Sequence, residues 1–186
     1  MSTDTRERIL KAAKELAEEN ESIQGVTISL EAVAQRAELT KPGLMYHFPT
    51  KESLMHGLVE QAAERWSGLL REHAGTEPDS LTAFDRYRAY ISVSTTADVS
   101  RADYWIFSDA LYHRSLAEAW QRHLDPWYAT DGLPPSAVGL LTTARFCADG
   151  TWMSEATGMF PADDLAAVRT HALALIDQAE LVERDS

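Results

Sequence analysis

The sequence predicts an all-α protein: an N-terminal three-helix head in a helix-turn-helix arrangement, then a longer helical domain, about nine helices in all. Three observations carry this. Apolar residues recur at i, i+3, i+4 spacing through most of the 186 residues, and no stretch alternates with period two. Clusters of Gly, Pro, Ser and Thr cut the chain into segments of helix length. Residue types are also unevenly shared. All four lysines (Lys11, Lys14, Lys41, Lys51) lie in the first 51 residues, and all five tryptophans (Trp66, Trp105, Trp120, Trp127, Trp152) lie beyond them. That asymmetry divides the chain into a head, residues 1–50, and a second domain, residues 51–186.

The first helix spans Thr3 to Asn20. Asp4 and Thr5 offer capping oxygens, and Ile9, Leu10, Ala13, Leu16 and Ala17 form one apolar face. Asn20, Ser22 and Gly25 end it, and Ile23 and Val26 in the following loop are expected to be buried. Ser29 caps a second helix, Leu30 to Ala37, whose inner face is Leu30, Val33, Ala34 and Ala37. Glu38-Leu39-Thr40 is a turn. Thr40 caps a third helix from Lys41 to about His47, with Pro42 in its first turn, where a missing N–H costs little. Phe48 is an apolar plug, Pro49 stops the helix, and Thr50 caps a fourth that runs from Lys51 to about His73. Its stripe is Leu54, Leu58, Ala62, Trp66 and Leu69 or Leu70.

Gly75 to Ser80 is a loop. A fifth helix covers Leu81 to about Thr96, a sixth about Arg101 to Leu111, and a seventh about Ser115 to Trp127, ending near Pro126. Asp131 to Pro135 is a break. Ser136 caps an eighth helix that runs to about Thr157, Gly158 ends it, and a ninth covers Leu165 to about Glu183.

Composition excludes several classes. Hydrophobic content is 45% and charged content 25%, as in globular proteins. No apolar run reaches the ~18 to 20 residues of a membrane helix, and none resembles a signal core, so the expected compartment is the cytoplasm, without membrane contact. The single cysteine, Cys147, excludes an internal disulfide framework and a cysteine-based zinc site. No Ser-His-Asp, GxSxG, phosphate-loop or HExxH constellation is present, so no catalytic residue, metal or cofactor is expected and the protein is not read as an enzyme. The net charge of −12 speaks against nucleic acid, but residues 57–186 carry 20 acidic against 10 basic residues, and residues 1–56 carry 9 against 7. Only a local face of the head can therefore approach phosphate.

Two helices joined by a three-residue turn and braced by one before them make a helix-turn-helix, although the pattern alone fits a plain helical hairpin too. The third helix tips the balance. It is too short to be stable by itself, and its outward residues Lys41, Gly43, Tyr46 and His47 are hydrogen-bonding or small. Ser29, Val33-Ala34, Ala37-Glu38, Thr40, Leu44-Met45-Tyr46-His47-Phe48 and Thr50-Lys51-Glu52-Ser53-Leu54 together are similar to the pattern of the TetR/AcrR family of transcriptional regulators. The resemblance covers residues 6–60 and looks strongest to the multidrug-responsive, CgmR-type subgroup. Two positions depart from it. Glu38 stands where the family has Gly in the turn, which costs on the order of 1 kcal/mol if that residue has positive φ. Met45 stands where the family often has a phosphate-contacting Tyr.

The resemblance implies a ligand-responsive repressor that binds a pseudo-palindromic DNA operator as a homodimer. Lys41, Gly43 and Tyr46 would face base edges; Thr40, His47 and Lys51 would hold phosphates, joined by Thr27 and Ser29 from the second helix. Ser29 and Thr50 are equally readable as caps alone. A transcriptional activator, or a small-molecule binding protein with a vestigial DNA-binding head, remains an alternative.

The second domain is read as the ligand-binding and dimerisation domain. Its aromatic residues exceed what a small core needs, and carboxylates are interspersed with them. Trp66, Tyr104, Trp105, Phe107, Asp109, Trp120, Asp149 and Trp152 are the expected lining of an effector pocket suited to a lipophilic, aromatic or cationic molecule. Asp149 is equally readable as the ion-pair partner of Arg145 one turn away. The eighth and ninth helices carry apolar stripes with small Gly139, Ala144, Gly150 and Ala172 between. They either close their own core or, as the family resemblance implies, pair with a second copy in a four-helix bundle.

Overall fold

The computed structural model describes residues 2–19, 28–96, 101–111 and 113–185, and among these every regular element is helical. In order they are α1 (Ser2–Glu19), α2 (Leu30–Arg36), α3 (Lys41–His47), α4 (Lys51–Ala74), a single 3-10 turn (Pro78–Ser80), α5 (Ala83–Ser94), α6 (Arg101–Ala110), α7 (Arg114–Tyr128), α8 (Pro135–Thr157) and α9 (Leu165–Arg184). The expected all-α architecture is the one observed.

The chain forms two compact units. One comprises residues 1–63 and 100–120; the other comprises residues 64–99 and 121–186. The first unit holds α1 to α3, the beginning of α4, α6 and the beginning of α7. Its core follows the expected stripes: Ile9, Leu10, Ala13, Val33, Ala34, Leu44, Phe48, Leu54 and Leu58 are all buried. Gly57 shows how closely α4 approaches its neighbours. A Cβ there would sit 2.8 Å from Phe48 Cε1 and 3.0 Å from Leu10 Cδ2, so only glycine fits without displacing the buried Phe48 ring. Arg8 Nη2 donates to the carbonyl of Ala37 at 2.7 Å, and Arg36 donates to both carboxylate oxygens of Glu19 at 2.8 and 2.5 Å. These tie α1 to the end of α2. Lys14 Nζ donates to Asp103 Oδ1 at 2.7 Å, joining α1 to α6 through a carboxylate with only 2% of its side chain exposed.

The second unit holds the remainder of α4, α5, the end of α7, α8 and α9. Leu70, Phe84, Tyr87, Ile91, Trp127, Leu141 and Ile176 are at its centre. Arg88 crosses from α5 to α9, donating to Asp177 at 2.9 Å and Glu180 at 2.6 Å. Trp127 donates its indole N–H to Ser67 Oγ at 3.3 Å.

Several boundaries differ from expectation. Asp4 and Thr5 do not cap α1; they lie inside its first turn, because the helix begins at Ser2. Ser136 does not cap α8. That helix starts at Pro135 behind Pro134, whose backbone has φ −65° and ψ 150° and supplies no side-chain cap. A proline in the first turn needs no N–H partner and is already set for helical φ. Helix α7 continues through Pro126 to Tyr128, so the proline falls in the last turn and does not end it. Asn20, Ser22, Ile23, Gly25 and Val26 lie outside the described residues.

Candidate functional site

Local chemistry builds the recognition segment. Ser29 Oγ accepts from the Ala32 amide at 3.1 Å and opens α2. At the other end, the amide of Leu39 donates to the carbonyl of Ala34 at 2.8 Å and that of Glu38 to Gln35 at 3.1 Å. This paired closure wants a left-handed residue at its centre. Glu38 occupies it with φ 54°, the conformation anticipated for the position where glycine is usual. Thr40 Oγ1 then accepts from the Gly43 amide at 3.2 Å and starts α3. A side chain at position 43 would begin 3.2 Å from that same hydroxyl, so Gly43 keeps the cap intact and the helix surface flat. Thr50 and Ser53 cap α4 reciprocally, at 3.0 and 3.1 Å. Ser29 and Thr50 therefore both act as caps.

What α3 buries is Leu44, with Phe48 beneath it; what it presents is Lys41, Pro42, Met45 and Tyr46. Lys41 and Pro42 are exposed, His47 is half-buried, and Tyr46 is 85% exposed. A tyrosine so fully in solvent is rare for its type, since its ring normally finds a core or a partner. Among the described residues its ring neighbour is His47, edge-on at 5.2 Å. Met45 is 39% exposed beside it. Lys41 Nζ is engaged by the carboxylate of Glu31 on α2, and that contact holds the Glu31 carboxyl below its ordinary range. Lys51, at the first turn of α4, has no ion-pair partner among the described residues. Thr40, Lys41, Gly43, Tyr46, His47 and Lys51 thus fall on one short stretch of surface, with Ser29 nearby in the same unit. Thr27 lies outside the described residues.

The expected effector residues divide between the two units. Tyr104, Trp105, Phe107, Asp109 and Trp120 belong to the first, where Phe107 and Trp120 meet edge-on at 5.7 Å. Trp66, Asp149 and Trp152 belong to the second, where Trp66 and Trp152 meet edge-on at 5.4 Å. The indole N–H groups of Trp66 and Trp120 are buried without an acceptor. A buried donor left so costs about 1–3 kcal/mol.

Sequence reading did not single out Tyr90 or Tyr128. In the second unit Tyr90 Oη donates to Asp149 Oδ1 at 2.5 Å. The Tyr90 and Tyr128 rings meet edge-on at 5.0 Å, and Tyr87 Oη donates to the Tyr128 carbonyl at 3.3 Å. Arg145 lies over the Tyr128 ring, 5.1 Å from its centroid, and 3.8 Å from Asp149 Oδ2. Burial raises the Asp149 carboxyl above its usual range and pushes all three phenols up, so the tyrosines are neutral at physiological pH. The signal available in the sequence was weak: Tyr87, Tyr90 and Ser94 lie on one face of α5 at i, i+3, i+7.

Helices α8 and α9 leave an open groove of about 440 Å³ between Cys147, Val168, His171, Leu175 and Gln178. Phe146 and Met153 on α8 and Leu181 on α9 are exposed on these same helices. No group of three or more metal-ligating side chains occurs among the described residues, and no helix there is long and apolar enough to cross a membrane.

Residues 9–58 match the description "Bacterial regulatory proteins, tetR family", and residues 85–177 match "Tetracyclin repressor-like, C-terminal domain". The chain belongs to the TetR family. It is therefore a TetR-family DNA-binding transcriptional regulator, and the capped α3 segment is its helix-turn-helix. No curated protein matches it. Among solved structures it is similar to a TetR-family transcriptional regulator from a Rhodococcus species, with TM-score 0.68 and 19% identity over 95% of this chain and 98% of that one. It also resembles the multidrug binding protein EbrR complexed with malachite green, with TM-score 0.64 and 20% identity over 94% and 96%. The same protein complexed with ethidium gives TM-score 0.61 and 20% identity over 92% and 98%. At these identities the likeness concerns the fold.

Proposed function

We propose that this regulator is a repressor that binds a pseudo-palindromic operator as a homodimer and is released by a small lipophilic effector, aromatic or cationic. The observation that carries the reading is Tyr46, 85% exposed on a seven-residue helix that buries only Leu44, with Met45 beside it 39% exposed. In a major groove the ring meets a thymine methyl and the hydroxyl a base edge or phosphate. Lys41 exchanges Glu31 for a base edge, Gly43 lets the helix approach closely, and Ser29, Thr40, His47 and Lys51 hold phosphates. Lys51 does so from the N-terminus of α4, whose free amides favour an anion.

Residues 1–50 act as the DNA-binding domain and residues 51–186 as the ligand-binding and dimerisation domain. The apolar face around the α8/α9 groove supports pairing with a second copy, which would set two α3 helices about one DNA turn apart. Malachite green and ethidium, the ligands of EbrR, are aromatic cations, which favours an effector of that class and a place in the multidrug-responsive, CgmR-type subgroup. Its binding to the second domain shifts α4 and disfavours the DNA-competent spacing. Cytoplasmic action follows from that role. Operator selection on random duplexes, followed by footprinting with and without aromatic cations, tests the reading. Protection of two half-sites that is lost with ligand supports it; no selected sequence, or protection indifferent to every ligand, contradicts it.

A further inference from the structure

The contact of α5, α7 and α8 encloses a carboxylate among tyrosine rings, and one of the protein's own cations lies in it. Asp149 presents one oxygen to Tyr90 at 2.5 Å. Its other oxygen has Arg145 at 3.8 Å, beyond hydrogen-bond distance and well outside the ~2.7–2.9 Å of a directly bonded guanidinium and carboxylate. The guanidinium carbon stands 5.1 Å from the Tyr128 ring centre and 5.0 Å from that of Phe146. Both are inside the ~6 Å range of cation–π attraction.

We propose that this cage is a binding site for an organic cation of the quaternary-ammonium or aromatic-iminium class, and that Arg145 is its resident stand-in, displaced when the ligand enters. The proposal rests on the effector reading above and names the residues and charge that reading leaves open. A carboxylate beside the ring faces of Tyr128 and Phe146 is the chemistry that recognises a weakly hydrated cation, by charge at one side and ring quadrupoles at the other. Tyr87 bonds the main-chain carbonyl of Tyr128, the Tyr90 ring packs edge-on against the Tyr128 ring and the Tyr90 hydroxyl bonds the carboxylate, so the walls are held by contacts other than Arg145. The arginine is the part built to leave. It holds Asp149 by attraction at a distance, and 29% of its side chain is exposed. Asp149 itself keeps 37% of its side chain exposed, so a ligand can reach it. The stand-in sets selectivity. A neutral aromatic ligand cannot replace the charge that Arg145 gives Asp149, whereas a cation can.

The test is calorimetric titration of the full-length protein with benzyltrimethylammonium and with its neutral isostere, neopentylbenzene. Arg145→Ala vacates the cage and is expected to tighten cation binding about ten-fold; Arg145→Gln, which keeps length and an amide near Asp149, tightens it less. Asp149→Asn, unchanged in size, weakens the cation by about ten-fold or more, and neither change moves the isostere. No tightening in either arginine variant overturns the proposal, as does an equal gain for the isostere. Operator release, followed separately by fluorescence anisotropy, keeps the two readings apart. Cage binding with these responses but without release leaves the cage standing and removes the effector reading. Release by a cation that ignores Arg145 and Asp149 does the reverse.

Discussion

The recognition segment and the tyrosine cage solve opposite problems. Residues 39–54 are a site made of neighbours: each cap bonds three residues along, at Thr40 to Gly43 and Thr50 to Ser53, and the buried Leu44 and Phe48 leave Tyr46 facing outward. The cage is a site made of strangers. Tyr90 and Asp149 are 59 residues apart, and Tyr87 and Tyr128 are 41. The difference separates what each can tolerate. A surface site on a capped helix can lose its reading side chain without losing the fold. A site inside a helical contact cannot change without touching stability.

The sharpest way to stress that contrast is through the pair that joins α1 to α6 within the first unit. Lys14→Met removes the ammonium that lies 2.7 Å from Asp103 Oδ1, on a carboxylate 2% exposed. Breaking one side of a buried pair costs about 3 kcal/mol, read as a lower urea midpoint at unchanged slope. A result within experimental error of the parent would mean that the pair does not hold the two helices. Gly57→Ala comes next. Overpacking against Phe48 and Leu10 is expected to cost about 2 kcal/mol even though alanine favours a helix, whereas the same change at an open helical glycine stabilises. Glu38→Gly runs the other way, gaining about 1 kcal/mol by relieving φ 54°, while operator affinity stays the same. The smallest effect belongs to the cage. Asp149 has its carboxyl raised by burial, so its contribution to stability is full below the unfolded value of 3.8 and is lost as pH rises through the raised folded value. Asp149→Asn should flatten that part of the pH–stability curve; an unchanged curve would show that the carboxyl is not desolvated.

The same contrast explains what could be read from sequence. The caps at Ser29, Thr40 and Thr50 each join residues three positions apart, and each was legible; Phe48 was legible as an apolar plug, and a positive φ at Glu38 was raised as a condition by the family resemblance. The start of α8 was misread because Ser136 has a capping side chain, whereas the preceding Pro134-Pro135 already fixes the entry geometry. Asp149 was legible as either an effector carboxylate or a partner of Arg145. It is held by Tyr90, a tertiary contact that helical spacing along one strand of sequence cannot specify. Asp103 stands next to Tyr104 and Trp105 in the sequence, and its bond to Lys14 on α1 is a tertiary contact of the same kind. The recognition segment is written in short-range chemistry; the tyrosine cluster of the second unit is written in which helices meet.

The central claim is that α3 reads DNA through Tyr46. Fluorescence anisotropy with the selected operator, at one stated salt concentration, compares Tyr46→Ala with the parent protein. The account predicts a loss of operator affinity of about 2 kcal/mol, with an unchanged thermal midpoint because the ring is 85% exposed. Undiminished operator affinity in a folded Tyr46→Ala protein would contradict it.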